Sequence, residues 1–137
     1  MTENSNYVKK IIKQVDILQS NKLDSEESIN YFTGFMYSLI LDKTVFKRND
    51  ELPDFIFNFF LKPFGSMQYK DYVYKSRTLL GARVCRHIID DFNYSDTVKL
   101  SKIILNYLEK KYALGQDENA HKKLNSIANE LSGWLNQ

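Results

Sequence analysis

Five phenylalanines fall within thirteen residues, Leu52-Pro53-Asp54-Phe55-Ile56-Phe57-Asn58-Phe59-Phe60-Leu61-Lys62-Pro63-Phe64. No other stretch restricts the possible folds as strongly. Wound as a helix, Leu52, Phe55, Ile56, Phe59 and Phe60 make one stripe at the i, i+3, i+4, i+7, i+8 spacing. Phe57, Leu61 and Phe64 widen that stripe past the face a single neighbour covers. Asp54, Asn58 and Lys62 remain as a narrow polar edge. Such a segment either lies in the middle of a helical core or faces a partner. Pro53 is compatible with its first turn, with Asn49 or Asp50 as N-cap, and Lys62-Pro63-Phe64-Gly65 is its stop signal.

Helical spacing recurs on both sides of it. Residues 6–19 place Val8, Ile11, Ile12, Val15 and Leu18 on one face and Lys9, Lys10, Lys13 and Asp16 outside. A second helix opens on the capping box Asp24-Ser25-Glu26-Glu27 and carries Ile29, Phe32, Met36, Leu39 and Ile40 at helical spacing. Gly34 within it is expected to mark a close helix crossing. Ser66 is a candidate cap for a long fourth helix, about 67–92. Tyr69, Tyr72, Val73, Leu79, Leu80, Val84, Ile88, Ile89 and Phe92 spread around most of its circumference, which suits a central strut. Ser95 is the expected cap of a fifth helix over 96–114, burying Leu100, Ile103, Ile104, Tyr107 and Leu108. Gly115 ends it, and Asp117 opens a sixth helix with Leu124, Ile127, Ala128, Leu131, Trp134 and Leu135 as its stripe.

The chain has 137 residues, 43% hydrophobic and 26% charged, enough for one core and too apolar for disorder. Five glycines and two prolines suit long helices with short turns. No repeat or low-complexity linker divides it. The expected fold is all-α, a single-domain bundle of five or six helices spanning 1–137, with the 67–92 helix at its centre.

Function classes narrow by what the residues support. A net charge of +2 gives little global attraction for nucleic acid. The single cysteine, Cys85, forbids an internal disulfide and fits a reducing cytoplasm. The polar opening Met1-Thr2-Glu3-Asn4-Ser5-Asn6 has no apolar run of the secretory type, and no apolar run spans a membrane. A high share of Lys, Asn, Ile, Tyr and Phe is the bias of AT-rich coding and points to a low-GC bacterium, its phages or its plasmids. No phosphate-binding loop, dinucleotide fingerprint, zinc-protease helix or nucleophile elbow occurs, so an enzyme is not expected. Cys85 and His87 point to different sides of a helix and form no nucleophile–base pair. His87, Asp90 and Asp91 have metal-ligand spacing, with His121 the only other histidine. Two or three ligands on one helix do not make a site, and neither metal nor cofactor is expected.

Two surfaces stand out. The surplus of large apolar side chains predicts a small cytoplasmic binding or regulatory protein that docks a protein partner or a second copy of itself. Its contacts are expected at Phe55, Phe57, Phe59, Phe64, Tyr69 and Tyr72. Residues 62–87 carry Lys62, Lys70, Lys75, Arg77, Arg83 and Arg86 against one acid, Asp71. They support an alternative, a nucleic-acid-binding accessory protein using Lys70, Lys75, Arg83 and Arg86. A third class is a protective protein of the immunity or inhibitor type. Arg77 falls among Val73, Leu80 and Val84, where an ion pair with Asp50, Asp54 or Asp71 is the expected partner. A helix-turn-helix at the 113–119 turn is disfavoured, because Asp117 and Glu118 would face phosphate.

Overall fold

The computed structural model describes residues 2–20 and 22–114, with side chains over 9–20 and 22–111. The expected helix over 117–135, His121 and the 113–119 turn region beyond 114 lie outside the described residues. Among the described residues there are six α-helices and no strand, so the fold is an all-α bundle. The helices are α1 (Thr2–Gln19), α2 (Ser25–Leu41), α3 (Leu52–Ile56), α4 (Asp71–Tyr74), α5 (Arg77–Asp91) and α6 (Tyr94–Leu114).

The first two helices follow the sequence pattern. Ile11, Val15 and Leu18 of α1 are buried against α6, while Lys9, Lys10 and Lys13 stay in water. Gln19 Nε2 fixes the end of α1 to α6, donating to Ser101 Oγ at 3.0 Å and to the Val98 carbonyl at 3.3 Å. The capping box of α2 is complete: Glu27 N–H donates to Asp24 Oδ1 at 2.8 Å, and Asp24 N–H to Glu27 Oε1 at 3.2 Å. Together they satisfy two amides that a helix start leaves open. Along α2, Phe32, Phe35, Met36, Leu39 and Ile40 are buried.

The crossing glycine is Gly81, not Gly34. A Cβ on Gly34 would meet nothing within 4 Å, whereas one on Gly81 would lie 2.7 Å from the Tyr37 ring. The α2–α5 contact is therefore closest on the α5 side, where the missing side chain admits Tyr37.

The phenylalanine segment is helical but irregular. A 3₁₀ turn over Asn49–Glu51 leads into α3, a π turn spans Phe57–Leu61, and a 3₁₀ turn spans Lys62–Phe64. Gly65, at φ 71°, closes it in the left-handed conformation. The π turn fits an extra residue between two buried surfaces, so Phe59, Phe60 and Leu61 are all buried in succession. Phe32, Phe60 and Phe92 stack on one another with ring centroids 6.0–6.4 Å apart. On the other side Phe55 meets Phe46 at 4.9 Å and Tyr107 at 5.1 Å. These rings, brought together from residues 32 to 107, are the centre of the core.

The long helix over 67–92 is not continuous. Residues 66–70 are irregular, and α4 and α5 are separated at Lys75 and Ser76. Ser76 Oγ accepts the Leu79 amide at 3.2 Å, a new N-cap that starts α5 as a separate helix. Ser66 caps nothing. Its amide instead donates to the Leu61 carbonyl at 2.9 Å. Asn93, not Ser95, caps α6: Asn93 Oδ1 accepts the Asp96 amide and Asp96 Oδ2 accepts the Asn93 amide, both at 2.9 Å. Leu100, Ile103, Ile104, Tyr107 and Leu108 are then buried as their spacing requires.

Arg77 is buried without a carboxylate partner. Its guanidinium donates to Asn49 Oδ1 at 2.8 Å, to the Ile40 carbonyl at 3.1 Å and to the Phe46 carbonyl. The negative end of α2 stands in part for an acid: the Ile40 carbonyl, in its last turn, accepts from the cation, and the Phe46 carbonyl in the following loop adds a second acceptor.

Candidate protein-docking surface

The expected contact residues separate by burial. Phe55 and Phe59 are core residues and offer nothing to a partner. Aromatic surplus in the sequence reflected how many rings one core holds, and in these two cases not an interface. Phe57, Phe64 and Tyr69 are half-buried against the core. Phe64 stacks on Phe92 at 4.5 Å and meets the His87 ring edge-on at 5.1 Å. Only Tyr72, 54% exposed, projects into water.

Local structure explains that exposure. Gln68 anchors the irregular 66–70 segment: its amide nitrogen donates to the Pro53 carbonyl at 3.2 Å, and its oxygen accepts the Tyr69 amide at 3.0 Å and the Tyr74 hydroxyl. With the segment pinned, Val73 and Tyr74 of the single turn α4 face inward and Tyr72 faces outward. Met67, beside the anchor, is 88% exposed. Burial pushes the phenols of Tyr69 and Tyr74 above their ordinary value. At Tyr69 the Arg83 charge opposes that rise and the Asp91 charge adds to it.

Helix α5 supplies the rest of the surface. Ala82, Arg83, Arg86, Ile89 and Asp90 are exposed at i, i+3 and i+4 spacings, and so share a face. Arg83 Nη2 donates to the Tyr72 hydroxyl at 3.3 Å and joins α4 to that face. Ile89, expected among the apolar positions of a central strut, is 58% exposed. Helical register alone would have found it: Ile89 shares its side with Ala82 and Arg86, away from Val84 and Ile88. Met67 carried no sequence signal, because its exposure depends on the Gln68 anchor.

The basic residues are less concentrated than the sequence suggests. Lys70, Lys75, Arg83 and Arg86 are all exposed, but Arg86 Nε pairs with Asp90 at 3.3 Å and Arg77 is internal. Asp71, Asp90 and Asp91 are exposed on the same two helices. His87 is buried with both ring nitrogens engaged, Nδ1 with Asp91 Oδ2 at 2.7 Å and Nε2 with the Phe60 carbonyl. His87, held by Asp91, thus ties α5 to the π turn while Asp90 pairs with Arg86, and no three metal-binding side chains converge among the described residues. No helix among them is long and apolar enough to cross a membrane. Comparison with protein-family models, curated proteins and solved structures finds no match.

Proposed function

We propose that this protein is a non-enzymatic binding module that docks a protein partner on the outward face of α4 and α5. The observation behind this reading is the Tyr72–Arg83 pair, a half-exposed phenol bonded to a guanidinium, on a face that also exposes Ile89. Tyr and Arg supply much of the energy at protein interfaces, with Met also enriched there, and apolar side chains left in water favour coverage. A pair already held together loses less freedom on binding than two independent side chains. A regulatory or an immunity-type role would both use such a face.

A photo-crosslinking amino acid at position 72 or 89 tests it in cells, with positions 13 and 110 as exposed controls. Discrete protein adducts at 72 and 89 alone are expected, and an adduct of twice the chain mass would identify a second copy as partner. Equal labelling at all four positions, or no adducts, would refute the docking face. Nuclease-sensitive adducts would favour the nucleic-acid alternative at Lys70, Lys75, Arg83 and Arg86.

A further inference from the structure

We infer that the segment this face accepts is a short acidic peptide stretch with one large apolar side chain, the carboxylates meeting Arg83 and the flanking lysines. The inference rests on the docking reading and adds the chemistry of the partner.

Three features select that occupant. Around Tyr72 the exposed charges are Lys70, Lys75 and Arg83 against Asp71, a local positive excess. Arg83 has a phenol as its neighbour, not a carboxylate, so its remaining donors are available to an incoming acid. Its planar fork suits a carboxylate in two-point contact. Tyr72, bonded to Arg83, and Ile89, further along α5, leave apolar surface exposed, and Met67 stands in the segment that Gln68 ties to the Pro53 carbonyl just before α4.

The same face argues against a polyphosphate chain. Phosphates spaced along α5 would run from Arg83 toward Asp90 and Asp91, and Arg86 is already paired with Asp90. A peptide can place one or two carboxylates where the cations are and leave the acidic margin alone. A single local cluster fits a short, discrete anion better than a long one.

Fluorescence anisotropy with the full chain tests this on four labelled probes. They are a short peptide of Asp and Glu around one Leu and one Trp, its Lys-for-acid counterpart, its Ser-for-apolar counterpart, and an oligo-dT strand. The acidic apolar peptide should bind best, weaken with added salt, and lose about tenfold in affinity on Arg83→Glu or Tyr72→Ala. Met67 and Tyr72 are exposed, so Met67→Ser and Tyr72→Ala leave the core intact. The inference is overturned if the acidic peptide does not bind, or if its binding ignores both Arg83→Glu and Tyr72→Ala. Equal binding of the Lys-for-acid peptide would overturn the acidic partner, and equal binding of the Ser-for-apolar peptide would overturn the apolar side chain; either result, if still sensitive to Tyr72→Ala, would keep the docking face. Preference for oligo-dT would overturn the peptide in favour of nucleic acid. Crosslinking at positions 72 and 89 reads the docking face independently, so the two failures are distinguishable.

Discussion

Lys111 Nζ lies 3.1 Å from Glu51 Oε1, sixty positions back along the chain. The ammonium also sits 5.1 Å from the centroid of the Phe46 ring, while Glu51 Oε2 accepts the Arg48 amide at 2.8 Å. One carboxylate thus ties α6 to the entrance of the phenylalanine segment.

Its titration should be visible in stability. Burial pushes the Glu51 carboxyl up, but the Arg48 amide and the Lys111 charge outweigh it and hold the group below its ordinary value of 4.5. A lowered carboxylate pKa stabilises the fold above the unfolded value and loses that contribution as pH falls through the folded value. Glu51→Gln should cost about 1 kcal/mol at neutral pH, with the deficit shrinking on acidification into the carboxylate range. Urea titrations of both proteins across that range measure it.

The Arg77 guanidinium should be irreplaceable by either a smaller cation or an apolar chain. Lysine has one nitrogen for acceptors on Ile40, Phe46 and Asn49, and methionine has none. Leaving buried carbonyls unmet should cost about 2–4 kcal/mol in Arg77→Lys and in Arg77→Met. Equilibrium unfolding checks both, and a methionine variant as stable as the parent would show that the carbonyls find other donors.

Gly34 and Gly81, the helical glycines among the described residues, should respond in opposite directions to alanine. Gly34 faces open space, so Gly34→Ala should stabilise by roughly 0.5–1 kcal/mol through helix propensity. At Gly81 the new methyl would stand 2.7 Å from the Tyr37 ring, and overpacking should exceed the propensity gain. Gly81→Ala should therefore lower the melting temperature, and a Tyr37→Ala background should reverse the sign of its effect.

Cys85 should be a slow nucleophile. Burial pushes its thiol up from the ordinary value, and the sulfur lies 3.7 Å from the Thr33 carbonyl. Alkylation by iodoacetamide near neutral pH should run about tenfold slower than for a free thiol, and recover in denaturant. Mass spectrometry of timed quenches measures both rates.

The bundle and most of its core were legible because helical periodicity is a local signal. Ile11, Val15 and Leu18, the α2 stripe apart from half-buried Ile29, and the α6 stripe lie inside where their spacing puts them. What failed depended on contacts between distant residues. Ser76 could be chosen as a cap only once the segment before α4 was tied to Pro53 through Gln68 and the helix was interrupted at Lys75 and Ser76. Arg77 found carbonyls, which every residue carries and no residue letter announces. Of the expected surface, Tyr72 is outward, while Phe55 and Phe59 are inside, since hydrophobicity alone does not separate a ring on a core from a ring on an interface.

The π turn over Phe57–Leu61 has a consequence for chain length. Its closing bond runs from the Lys62 amide to the Phe57 carbonyl, one residue more than an α turn spans. The segment therefore holds a surplus residue whose removal would restore ordinary winding, while Phe64 could still be delivered to Phe92. Inside any of the regular helices a one-residue deletion would rotate the rest of that helix by about 100° and turn core side chains to water. Among the helical segments, natural length variation of one residue would therefore be tolerated best here, inside the most aromatic one.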